Sequence, residues 1–484
     1  MTKPIIASVL AAATFPAHAQ TNPAIALDGD DREWGAAMAA ADAEFYYFRL
    51  PFGELRSLRV ADRPVRIHLD LDSDDTTGAA SPEAPELGVD LSIEITAGER
   101  WGDPYFFATV YDATGTAEAL PFERVEPLHM PNSAGETFEL RVRRDAHPAL
   151  LEGGPARGVT IMEGARWARS GRDWSLTDAA EAYDFEAPAG RELAPVEAEL
   201  PAKAPGSIRV VAHNVLWTGP ESNPEPFARM YRALDPDIYL IQEWGQGEWS
   251  PGYERSLERW FELYVDGTRD WTAIRSEAWG VALVTHHPVI GRTPLDLRAE
   301  TITRWSFPVR YVGGVILTPE GPVAAASIHL KAGGALETPE DQRRFDEMLV
   351  IRRELAEMTA DAAQAARGAT PITILGGDYN HNGHPLVVET GLKGLDADGT
   401  PLELAYTPVL GTNARYSFGG PAYGHRRSFL DYIAYSDAVA ELTAVFVLDT
   451  EILSDSSLAG MGLERSDSSA ADHLPVVVDL DPID

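Results

Sequence analysis

The chain has 484 residues, of which 44% are apolar and 24% charged, with a formal net charge of −35 and no cysteine. The length exceeds one ordinary core, so two domains are expected; the composition excludes a disordered or fibrous chain, and the missing cysteine excludes disulfides and thiolate metal sites. The charge excludes loose electrostatic binding to nucleic acid or anionic lipid, and leaves a nuclease open only where metal ions and local basic residues offset the field.

Lys3, the apolar stretch Ile5–Phe15 and the small-residue pattern Ala17-His18-Ala19 read as a signal peptide over residues 1–19, so the protein is expected to be exported, to periplasm or medium. That stretch is too short to span a bilayer, and no later segment offers about 20 uninterrupted apolar residues, so no transmembrane segment is expected. Residues 20–193 hold short alternating segments: Val65–Leu71, Val89–Ile95 and Thr137–Val142 each place apolar side chains on every second residue. That is the period of a half-buried strand, and it predicts an antiparallel β-sandwich. Residues 194–206, rich in Pro and Ala, read as a linker.

From residue 207 to 484 the pattern changes to strands alternating with helices, an α/β domain. Ile208–Val215 and Asp237–Ile241 read as strands, with Phe227, Met230, Tyr231 and Leu234 on one helical face between them. Thr338-Pro339 with Asp341 reads as a helix start with a capping box, Phe345 to Met358 continue that helix, and Gly368 can close it. The strand Ile372–Leu375 follows.

Polar residues fall at the ends of these strands: Asn214, Gln242-Glu243, His329, Asp378 with Asn380, Asp431 and Asp472-His473. One Asn or Asp after a strand is ordinarily a turn residue. Six strands each delivering a carboxylate, amide or imidazole suggest a site at one edge of a sheet. The donor set suits hydrolysis at phosphorus with Mg²⁺ or Mn²⁺, which take oxygen ligands. Glu243 can hold the metal, Asp378 can act as base, Asn380 can donate to a phosphoryl oxygen, and an imidazole oriented by a carboxylate can supply a proton.

These motifs, HNV, QE, HHPV, SIHL, GDYN, LDYI and DHLPV in that order between Ile208 and Leu480, resemble the endonuclease/exonuclease/phosphatase superfamily, which includes DNase I-like nucleases, sphingomyelinases and inositol-phosphate phosphatases. The resemblance implies a four-layered α/β sandwich with two packed β-sheets. It implies Glu243, Asn214 and Asp472 at the metal, and Asp378, Asn380, His473, its orienting partner Asp431, and His329 around the phosphoryl group. Tyr379 stands where Phe is more frequent, and the HNGH run after Asn380 is unusual. Lys331, His381 and His384 are candidate substrate contacts, the two histidines also reading as solvated loop residues. Gly376 and Gly377 are expected to bring backbone close to phosphate.

The expected activity is that of a secreted, divalent-metal-dependent phosphodiesterase acting on nucleic acid, a lipid head group or a small phosphodiester. A phosphatase or sphingomyelinase-like hydrolase of the same fold is the alternative. The first domain resembles carbohydrate-binding-like sandwich modules, through LDGDDREW, DLDSDDTTG and GVD. There Asp72, Asp74, Asp75 and Asp90 are candidates for a structural Ca²⁺. Trp34 and Trp101 are candidates for stacking on a polysaccharide, which would make the chain an anchoring protein with a secondary hydrolase domain.

Overall fold

The period-two segments of the N-terminal half form strands, because only an extended chain buries every second side chain on one face. The structure, a computed structural model, describes residues 25–483 apart from 61–63, 99–103, 171–172, 246–251, 278–279, 301–305, 367–368, 421–422 and 424. The signal-peptide residues 1–19, Trp101 and Gly368 lie outside the described residues. Two units divide the chain. Among the described residues, the first comprises Ile25, Gly29–Pro127 and Glu136–Leu193, and the second comprises the chain from Ala194 onward with Ala26–Asp28 and Leu128–Gly135.

In the first unit one sheet runs, in spatial order, Asp173–Ala187, Gly154–Ser170, Val65–Asp70, Leu91–Thr96, Tyr105–Tyr111 and Ala117–Leu120. Ala39–Ala41, Phe45–Arg56 and Gly135–Arg143 belong to a second sheet. Tyr46, Phe48, Leu50, Phe138 and Leu140 of the second share one core with Ile67, Leu69, Leu91 and Ile93 of the first. Two sheets over one shared core make this unit a β-sandwich. Trp34 is 1% exposed and its indole N–H donates to Glu139 at 2.6 Å, so it has no free face to stack on a sugar.

In chain order the second unit contains β1 (Ile208–Asn214), α1 (Pro224–Leu234), β2 (Ile238–Gln242), α2 (Gly252–Tyr264), β3 (Thr272–Arg275), β4 (Ala282–Thr285), β5 (Val289–Arg292), β6 (Tyr311–Thr318) and β7 (Gly321–His329). It continues with α3 (Pro339–Ala365), β8 (Ile372–Asp378), α4 (Leu386–Leu392), β9 (Glu403–Leu404), β10 (Asp431–Tyr435), β11 (Ala440–Val447), α5 (Asp455–Met461) and β12 (Val476–Pro482). Among the described residues these strands form two six-stranded sheets, ordered β3–β4–β2–β1–β12–β11 and β5–β6–β7–β8–β10–β9. α1 and α2 cover one sheet through Phe227, Met230, Tyr231, Leu257 and Phe261. α3 lies on β6 and β7 of the other. Helices outside and two sheets within make four layers, and β1, β2 and β8 are buried along their whole lengths.

Each sheet has a parallel pair at its centre, β1 with β2 and β7 with β8. Parallel neighbours end at the same edge, and an antiparallel neighbour begins there. Register therefore sets Asn214 opposite Gln242, and His329 opposite Asp378, which is itself opposite Asp431. β12, antiparallel to β1, starts three residues after His473 on that edge.

Gly376 and Gly377 serve close packing, Gly376 against the facing sheet and Gly377 against both Ile328 O of β7 and the facing sheet. A Cβ on Gly376 would stand 2.6 Å from Leu240 Cδ1, and one on Gly377 2.7 Å from Gln242 Nε2. Gln242 Nε2 donates to Ser327 Oγ (2.9 Å), which donates to Ile241 O (3.0 Å), a polar tie across the layers. Gly377 also has φ of 138°, open to glycine but strained for other residues. Gly377→Ala is expected to cost about 3 kcal/mol of unfolding free energy, from overpacking plus strain, read as a lower urea midpoint at unchanged m-value.

Candidate active site

The expected helix start on α3 forms, with Thr338 accepting from Asp341 N and Pro339 in the first turn. The Asp341 carboxylate does more than close a cap. It accepts from Glu337 N at 3.3 Å, pairs with Arg344 at 3.3 Å, and accepts from His384 N at 3.0 Å. A Cβ on Gly383 would collide with it, so the glycine of HNGH is there to let the loop close on α3. On the loop's other side Asn132 Nδ2 donates to Asn382 Oδ1 at 2.6 Å, and Ala134 N to Gly383 O at 2.9 Å. Residues 128–135, read from sequence as part of the first domain, thus belong to the second unit.

The six strand ends converge. Asn214 Nδ2 lies 3.3 Å from Glu243 Oε1 and 3.2 Å from Asp378 Oδ2, bridging the two carboxylates. His329 Nε2 is 3.4 Å from Asp378 Oδ2 and 3.7 Å from Glu243 Oε1. His473 Nε2 approaches the same Asp378 oxygen at 3.8 Å, and its Nδ1 is bonded to Asp431 Oδ2 at 2.7 Å. The other Asp378 oxygen accepts from Asn380 N at 2.8 Å, while Asn380 Nδ2 donates to Leu330 O at 3.2 Å. Glu243 (φ 61°) and Asn380 (φ 45°) both sit in the left-handed region, a strained conformation characteristic of functional positions.

Burial is the dominant influence on the charges. It pushes Glu243 up, and it pushes Asp378 up to about 7 against the opposing pull of His473. Burial pulls His473 down, but the Asp431 and Asp378 carboxylates outweigh it and carry the imidazole up to about 10. Burial and the neighbouring Arg310 guanidinium hold His329 well below the usual imidazole range, so it is neutral. One histidine is therefore cationic and the other neutral, facing one carboxylate from two sides.

Two residues of this site carry little sequence signal. Arg310, just before β6, places Nη1 3.0 Å from both ring nitrogens of His329. Ser417 donates from Oγ to Asp431 Oδ2 at 2.7 Å and accepts from Asp431 N at 3.0 Å, fixing the carboxylate that orients His473. A Ser in a loop and an Arg at a strand start are ordinary in sequence; only the partners distinguish them.

Two of the candidate substrate contacts are engaged elsewhere, and the third is buried. Lys331 Nζ donates to Ala332 O at 2.8 Å. His384 Nδ1 accepts from Leu386 N, the first residue of α4, at 3.1 Å. His381 is 9% exposed and packs edge-on against Tyr432 with ring centroids 6.0 Å apart, so it is not a solvated loop residue. Burial drives it down to about 4.

The donors fit a hard divalent cation. Glu243, Asp378 and Asp472 offer oxygens, and Asp472 Oδ1 is buried with no hydrogen-bond partner among the described residues. Asn214, expected at the metal, turns its Nδ2 to the carboxylates, while its Oδ1 accepts from Leu216 N at 3.2 Å. Glu243 and Asp472 are close enough for their charges to oppose each other. A cation there would relieve both.

Residues 211–457, about half of the chain, match the model of the Endonuclease/Exonuclease/phosphatase family. No curated protein matches the sequence. Among solved structures, the human Nocturnin catalytic domain with bound sulfate is similar at 16% identity and TM-score 0.36, over 58% of this chain and 97% of that one. An endonuclease/exonuclease/phosphatase family protein from Leptotrichia buccalis is similar at 15% identity and TM-score 0.37, over 56% and 99%. D. rerio TDP2 complexed with single strand DNA product is similar at 12% identity and TM-score 0.36, over 57% and 99%.

Proposed function

The chain belongs to the Endonuclease/Exonuclease/phosphatase family, and from that premise we propose that it is an exported phosphodiesterase that uses Mg²⁺ or Mn²⁺ to hydrolyse phosphate diesters. The observation that carries this reading is the meeting of Asp378 with His473, His329 and Asn214 within 3.8 Å. Held by Glu243 and Asp472, a metal would offset negative charge on the phosphoryl oxygens.

The chain's own groups do the rest. Asp378 accepts the proton of the attacking water; its carboxyl, raised by burial, has the basicity that proton transfer near neutral pH requires. His473, held as imidazolium by Asp431, donates toward the phosphoryl oxygens as charge builds on them. Arg310 adds fixed positive charge beside His329. Asn214 holds the two carboxylates apart at one spacing.

Export rests on the leader-like residues 1–19, and a mature N-terminus near Gln20 would support it. The net charge of −35 favours a small phosphodiester over duplex DNA, whose phosphates the surface repels. The test is a rate comparison on bis-p-nitrophenyl phosphate, sphingomyelin and duplex DNA. Activity on the first is expected to vanish in EDTA, to return with Mg²⁺ or Mn²⁺, and to exceed that on DNA. Full activity in chelator, or none with any divalent cation, would overturn the proposal.

A further inference from the structure

Away from the hydrolytic site, the first unit concentrates carboxylates where little offsets them. Asp70 closes the strand Val65–Asp70 and is 0% exposed. Asp90 is fixed beside it, its N–H donating to Leu69 O at 2.8 Å and its Oδ2 accepting from Leu71 N at 2.8 Å. Asp72 completes the group, so that one oxygen from each of the three lies within 4.8 Å of the others. Arg157 pairs with Asp70 Oδ2. Asp70 Oδ1, fully buried, has no hydrogen-bond partner among the described residues.

An unpaired buried carboxylate oxygen is costly, and one guanidinium cannot neutralise three carboxylates. The donors are all oxygens, which suits Ca²⁺ and not the nitrogen- and sulfur-seeking metals.

The loop is shaped to hold that arrangement. A Cβ on Gly78 would stand 2.5 Å from Val89 O, and one on Gly88 2.6 Å from Asp74 O, so both glycines allow the 71–78 loop to lie against the strand Ala84–Val89. Asp72 is oriented by Asp74 N at 2.9 Å and by Thr77 Oγ1 at 3.0 Å.

We propose that Asp70, Asp72 and Asp90 form a structural Ca²⁺ site in the first unit, with the unpartnered Asp70 Oδ1 as its innermost ligand. This replaces the ligand set expected from the sequence. Asp74 faces Thr76, accepting from its N at 3.0 Å and its Oγ1 at 2.6 Å, and Asp75 is exposed outside the group. By the alternation of Val65–Leu71, Asp70 falls on the polar face of its strand. The fold turns it inward.

The experiment is thermal unfolding of the full-length Glu243→Gln protein after EDTA treatment, with Ca²⁺ or Mg²⁺ titrated back. That substitution weakens the catalytic metal site, so a response to Ca²⁺ reports on the first unit. Ca²⁺ is expected to raise the midpoint by about 5 °C and Mg²⁺ by much less. Asp72→Asn, a change at a surface side chain, is expected to weaken the Ca²⁺ response about tenfold in concentration, and Asp90→Asn to abolish it. Where Asp90→Asn fails to fold, Asp72→Asn and displacement of bound Tb³⁺ by Ca²⁺ decide. A midpoint that ignores Ca²⁺, or an undiminished response in Asp72→Asn, would refute the site.

Discussion

Asp378→Asn is expected to lower kcat on bis-p-nitrophenyl phosphate about a thousandfold, with far-UV dichroism unchanged. The carboxylate is 2% exposed, and Asn214, His329, His473 and the Asn380 N–H all face it. An amide of the same shape keeps the packing but cannot take a proton from water. His473→Ala should cost a similar factor, because it removes the cation that Asp431 holds in place. The two losses should not multiply. Residues that act as one unit lose most of their effect with the first substitution, so the double variant should fall little below the worse single one. Ser417→Ala should cost less, since it frees Asp431 to move without removing any group that meets substrate; restoration by Ser417→Thr would mark a positioning role. Multiplying losses would mean that Asp378 and His473 act in separate steps.

Asp479→Ala is expected to cost about 4 kcal/mol of stability, measured by urea unfolding. Arg209 on β1 and Asp479 on β12 are 3% and 0% exposed and joined by two hydrogen bonds of 2.6 and 2.7 Å. Arg209 also donates to Leu234 O and Pro201 O. Removing the carboxylate strands a guanidinium in the core, where the desolvation already incurred is no longer offset. Arg209→Met with Asp479→Leu should recover part of the loss, because the apolar pair needs no partner although Leu234 O and Pro201 O lose a donor. If the double variant is as unstable as the single, strand packing rather than charge is the cause. Activity should fall in parallel, since β1 carries Asn214 and β12 follows His473.

What could be read from residues alone was whatever repeats locally. Alternation in Val65–Leu71 marked strands, the face shared by Phe227, Met230, Tyr231 and Leu234 marked a helix, and polar interruptions at apolar strand ends marked Asn214, Glu243, His329, Asp378, Asp431 and His473. The linear order of motifs pointed to the family. The sequence could not say which of these groups touch, because the distances depend on register across strands far apart in the chain: Asn214 and Asp378 are 164 positions apart, and His473 and Asp431 are 42 apart.

Tertiary structure alone decided the meaning of residues with unremarkable neighbours. Gly376 and Gly377 look like a phosphate turn until Leu240 and Gln242 are seen above them. The histidines of HNGH look like ligands until His384 is found bonded to the first residue of α4 and His381 buried against Tyr432. Asp70 looks like the solvent side of a strand until Arg157 and Asp90 close over it. Periodicity reports which face of one element avoids water; it carries no information on what another element, brought alongside by the fold, places against that face.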